Sequence, residues 1–181
     1  MKCLSVCMGV LLASTTLLAQ QKPAASPPET ASVTIGGKTI SINYNSPRVK
    51  GREGQIFNKG GLIQTTHKEY PVWRAGANSA TTLHTEADLK IGDLDVPAGT
   101  YTLFVDISDP ANWTLIVSKK TGEWGLAYDP TQDLGRTKMT MATPPALVEN
   151  LVYTLTDDGG NKGTMTLAWE HVSASVNFSV H

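Results

Sequence analysis

Cysteine is almost missing from this chain: Cys3 and Cys7 are its two thiols, and both fall in an N-terminal segment that reads as a signal peptide. The part that remains after cleavage has no disulfide to stiffen it and no thiol nucleophile to react. Blocks of like charge are also lacking. The formal net charge is −1, or −2 once Lys2 leaves with the leader, which argues against nucleic acid or an anionic membrane as partner. Sustained helical spacing is absent after residue 31, apart from a single turn expected within 145–150. One apolar run exists, residues 4–18, and it is broken by Ser5, Ser14, Thr15 and Thr16. A spanning helix needs about 20 continuous apolar residues.

That run follows the positive Lys2 and closes on the small residue Ala19, so residues 1–19 are expected to be a signal peptide that is removed. No transmembrane segment would then remain, and the protein would be exported, periplasmic or secreted. Lipid attachment at Cys7 is disfavoured because almost no apolar stretch precedes it. Residues 20–31, rich in Pro, Ala and Ser, read as a disordered spacer. Residues 32–181 form one domain; a chain of that size buries about 70% of its unfolded surface and can stand on its core alone.

What is present is alternation. Runs rich in β-branched and aromatic residues at 33–35, 39–44, 80–84, 89–91, 93–96, 101–107, 113–117, 138–141, 151–155, 164–169 and 174–180 place apolar side chains on one face, and Gly, Pro, Asn and Asp punctuate them. The expected fold is all-β: a single antiparallel β-sandwich of 8–10 strands with almost no helix, a partly closed barrel being the alternative. Asp157 to Gly163 reads as a hairpin turn and lacks the ligand spacing of a calcium loop.

Arginine is unevenly placed. Of four, Arg48, Arg52 and Arg74 fall within 27 residues of each other, in loop-forming surroundings, while Arg136 stands apart. Guanidinium forks suit carboxylate or phosphate, and a neighbouring Trp can stack on a planar or sugar ring. Brought to one end of a sandwich, Arg48, Arg52, Trp73, Arg74 and Asn78 would line a ligand pocket. The same arginines could instead cap strand carbonyls or pair with Glu53 or Glu69. The four tryptophans suit the core, Trp169 on its alternating strand above all, while Trp73 and Trp124, beside glycine and charged residues, are the two that could instead face a ligand. Two His-x-Glu pairs, His67 with Glu69 and His84 with Glu86, are the weaker metal candidates, since nothing in the spacing brings the pairs together. Ser46 has no nucleophile-elbow context, and no cofactor motif is present.

The segments Tyr44 to Arg52 (Tyr-Asn-Ser-Pro-Arg-Val-Lys-Gly-Arg), Val72 to Asn78 (Val-Trp-Arg-Ala-Gly-Ala-Asn), Pro97 to Tyr101 (Pro-Ala-Gly-Thr-Tyr) and Thr164 to Glu170 together resemble the bacterial domain of unknown function 2911 family, over nearly all of 33–180. The resemblance implies an exported, compact β domain and carries over no catalytic residue. Members of that family often have Glu after Gly-Ala-Asn, where this chain has Ser79.

The functional expectation is a non-enzymatic exported module that binds a small anionic or sugar-like ligand, or a protein partner, through the arginine loops. Two alternatives stay open: an exported hydrolase of unfamiliar type, metal-assisted through His67 and His84, and a structural envelope-associated protein without a small-molecule site. The sequence leaves the oligomeric state undetermined.

Overall fold

The computed structural model describes residues 24–122, 124–125 and 127–181. The signal-peptide reading of 1–19 lies outside them. Two antiparallel sheets are formed, and neither closes on itself. In chain order the strands are β1 Pro28–Ile35, β2 Lys38–Asn45, β3 Val72–Trp73, β4 Thr81–Thr85, β5 Leu89–Ile91, β6 Leu94–Val96, β7 Gly99–Asp106, β8 Thr114–Ser118, β9 Asp133–Lys138, β10 Thr140–Ala142, β11 Val148–Gly159, β12 Lys162–Glu170 and β13 Val172–Val180. One helix, α1 at Leu62–Thr66, and one 3-10 turn at Pro130–Gln132 complete the described elements.

The first sheet runs β1-β2-β4-β7-β8-β9, with β3 also on β7; the second runs β11-β12-β13-β5-β6, with β10 also on β13. The sheets lie edge over edge, β1 beside β11 and β9 beside β6. Period-two burial makes the core between them: Ile40, Ile42 and Tyr44 of β2 point inward, as do Leu151, Tyr153 and Leu155 of β11 and Met165, Leu167 and Trp169 of β12. Each buried aliphatic or aromatic side chain contributes about 1.5–3 kcal/mol relative to exposure.

The sandwich is as expected, and four local readings are corrected. β1 reaches back to Pro28, inside the 20–31 segment read as spacer, because Pro28 to Ala31 complete the ladder opposite Asn45 to Ile42. The turn expected within 145–150 does not form; Val148 already belongs to β11. Residues 138–141 are two strands in different sheets, since the chain crosses at Met139, which bonds back to the Trp113 carbonyl. Central strands β7 and β8 are buried on both faces. On the outer one Tyr128 meets Phe104 edge-on with ring centroids 5.1 Å apart.

Two irregular segments meet at one end of the molecule. After β2 the chain leaves the first sheet and runs along β11 of the second: Ser46 Oγ donates to the Leu151 carbonyl, Leu151 N to the Pro47 carbonyl and Val49 N to the Glu149 carbonyl. It then passes through α1 and returns to the first sheet at β3. The second irregularity is a large bulge. Trp73 pairs with Val105 and Thr81 with Leu103, so residues 74–80 stand opposite Phe104 alone. Ala75 and Asn78 take left-handed backbone there, and a Cβ on Gly76 would come within 2.8 Å of Thr81 Oγ1, so the bulge needs glycine at that point.

Candidate functional site

Where the connector from β2 and the bulge face each other they line a partly open cavity of about 180 Å³. Arg52, Leu62, Ile63, Thr66 and His67 come from the connector, Arg74, Gly76 and Ala77 from the bulge, and Trp169 from the end of β12. Behind it lies an aromatic plug. Phe57 of the connector touches Trp73, Trp113 and Trp169 at centroid distances of 5.7, 5.0 and 5.7 Å, and Trp73 stacks on Trp169 at 6.0 Å.

Each guanidinium is half committed. Arg52 donates from Nε to the Val49 carbonyl at 3.0 Å and from Nη2 to the Arg48 carbonyl at 2.7 Å. Arg74 donates from Nη1 to the carbonyls of Asn78, at 2.8 Å, and Trp124, at 3.1 Å. Its Nε is buried without a partner. Burial pulls the Arg74 pKa down from its ordinary value, although a guanidinium stays charged. Among the described residues, neither Arg52 nor Arg74 has a carboxylate within salt-bridge distance, whereas Arg136 pairs with Asp133 at 2.9 Å and Asp106 at 4.0 Å. Two cations lining one cavity without a counter-ion among the described residues favour an incoming anion.

His67 lines the same cavity and is 8% exposed. Its Nδ1 lies 3.1 Å from the Ile63 carbonyl and 3.0 Å from Thr66 Oγ1, while the Thr66 hydroxyl donates to the Leu62 carbonyl. Desolvation first, and then the Arg74 charge, push its pKa down to about 4. The ring is neutral at ordinary pH and its Nε2 has no partner. Trp169 Nε1, equally buried, has none either. Thus three of the four unpartnered buried side-chain polar atoms among the described residues belong to the walls of this one cavity. Larger depressions exist, one of about 510 Å³ beside β1 and β2, but no residue lining it carries such an atom. Buried polar groups in folded proteins are otherwise almost all satisfied.

The five residues named from the sequence separate here. Arg52 and Arg74 come together. Arg48 is half-buried on the connector, bridged through its backbone to Asn150, and does not line the cavity. Trp73 is fully buried and donates its Nε1 to the Gly76 carbonyl at 3.2 Å, so it is core and not a ligand-facing ring. Asn78 lies exposed on the bulge, with its Nδ2 3.4 Å from the Ser26 carbonyl. Trp124 is exposed and reaches Arg74 only through its carbonyl. Glu53 meets His171 at 2.6 Å, not an arginine, and Ser46 is a buried tie between sheets.

The His-x-Glu pairs do not converge. His84 is exposed and bonds Thr100 Oγ1 at 3.0 Å, Glu86 accepts from Thr39 N at 2.7 Å, and Glu69 is exposed. Among the described residues no three His, Cys, Asp or Glu side chains are grouped to hold a metal. No described helix is long and apolar enough to cross a membrane.

Fold and site together define a two-sheet antiparallel sandwich with a cationic, partly unsatisfied cavity between its longest connector and a bulge. Over residues 26–178 the chain matches the family described as Protein of unknown function (DUF2911), and it belongs to that family. No curated protein and no solved structure matches it.

Proposed function

We propose that this protein is an exported, non-enzymatic module that binds a small anion in the cavity between Arg52, His67, Arg74 and Trp169. One observation carries the reading: unpartnered buried polar atoms are concentrated in a cavity whose two charged side chains are both cationic. A single water occupies about 30 Å³ of liquid. The 180 Å³ here accommodates a tetrahedral oxyanion or a short carboxylate, and is small for a drug-sized ligand. The walls suit binding better than turnover, because no carboxylate lines the cavity and the Thr66 hydroxyl is committed to Leu62.

Isothermal titration of the purified chain with phosphate, sulfate and short carboxylates tests the binding. Saturable binding of at least one of them is expected, weakened about tenfold or more in Arg52→Gln through loss of a charge-assisted contact. Absence of binding by all of them overturns the reading. Export is supported by Lys2 and the apolar run to Leu18. Its test is N-terminal sequencing of protein recovered outside the cytoplasm; an intact Met1 there, or retention inside the cell, overturns that part.

A further inference from the structure

The cavity walls distinguish between anions. A carbonyl oxygen only accepts, so the contact from His67 Nδ1 to the Ile63 carbonyl places the ring hydrogen on Nδ1. Thr66 Oγ1 can accept that same hydrogen, because its own proton goes to the Leu62 carbonyl at 2.6 Å. Nε2 is then left with a lone pair, buried and unpartnered, on a side chain that lines the cavity. Arg74 Nε–H and Trp169 Nε1–H are the complementary case, buried donors that lack an acceptor. The lining side chains therefore carry two unspent donors, the positive charge of Arg52 and Arg74, and one unspent acceptor.

The geometry points to a ligand that is an anion carrying its own hydroxyl group: acceptor oxygens for Arg74 and Trp169, and an O–H directed at His67 Nε2. This rests on the anion-binding reading above and narrows it. Hydrogen phosphate meets the requirement and sulfate does not, although near pH 8 the two have almost the same charge and shape. Among small carboxylates, a hydroxy acid such as glycolate meets it and acetate does not. An anion without the hydroxyl sets oxygen lone pairs against the Nε2 lone pair and leaves that buried acceptor unsatisfied, the circumstance in which hydrogen-bonding sites discriminate most strongly. The low basicity of His67 agrees, since protonation to imidazolium would remove the discrimination and the neutral ring is favoured.

The experiment is a pairwise titration of the purified chain near pH 8: phosphate against sulfate, and glycolate against acetate. In at least one pair the hydroxyl-bearing member is expected to bind about tenfold or more tightly, and the pair that shows the preference identifies the source of the chemistry. His67→Phe removes the acceptor, and the preference should then collapse towards unity. Equal binding within both pairs overturns this inference and leaves the anion site standing. Survival of the preference in folded His67→Phe overturns it as well. Failure of all four anions to bind overturns the site itself. Should His67→Phe not fold, the wild-type comparison decides by the same criteria.

Discussion

At the scale of single residues, His67 ties stability to acidity. Its pKa falls from the ordinary 6.5 to about 4 on burial beside Arg74, so the folded protein prefers the neutral ring. The unfolded chain accepts the proton first as pH drops. The contribution is fully present above pH 6.5 and is lost progressively as pH falls towards about 4. Urea midpoints measured in anion-free buffer should decline over that window for the wild type and decline less for His67→Gln; parallel curves would show that the ring does not sense its burial. The residue scale is also where the sequence misled most. Clustering of Arg48, Arg52 and Arg74 was legible, but which of them keep free N–H groups depends on carbonyls that the chain path supplies. Trp73 looked available because Arg74 follows it and Gly76 lies close by, yet strand β3 turns it into the core. His67 was visible only as a metal candidate. Its neutral, tethered state follows from a five-residue helix, Leu62–Thr66, whose register sets Ile63 one turn before it. The spacing of Ile63 and His67 held that information. Trp169 was legible as core, but its unspent N–H was not, because partners of a buried donor are set by distant segments.

At the scale of elements, strands were readable wherever alternation persisted for five or more residues, as in β2, β12 and β13. β7 and β8 were readable as the runs 101–107 and 113–117, although the covering of both their faces was not; the two-residue β3 was not readable, and β10 was merged with the end of β9. The connector from β2 to β3 could not be placed from sequence, since its course is fixed by bonds to remote elements. Glu170 is central to these. It is 5% exposed, takes left-handed backbone with φ +58° in the tight turn between β12 and β13, and accepts from Gly54 N. Next to it His171 meets Glu53. Glu170→Ala removes the acceptor and leaves the Gly54 N–H without it, while the sheet ladders stay intact. Limited proteolysis should therefore cut within 50–61 faster in the variant than in the wild type, with strand content by circular dichroism unchanged. Equal cutting rates would show that Glu170 does not hold the connector.

At the scale of the whole molecule, both sheets share one aromatic plug. Trp73 belongs to the first sheet, Trp169 to the second, Trp113 precedes β8, and Phe57 touches all three. The chain also crosses between sheets after β2 and at Met139. Neither sheet can separate without breaking that contact, so tryptophan fluorescence and far-ultraviolet circular dichroism should report one coincident denaturant transition. Separate midpoints would mean that the layers melt independently. The bulge opposite Phe104 has a different reach. Because the ladder resumes in step on either side of it, residues could be added to or removed from 74–80 without disturbing the pairing of any other strand. Relatives that lengthen or trim this slack would resize the chamber while inheriting the same scaffold, so one architecture could be refitted to guests of different bulk by editing a single stretch of chain.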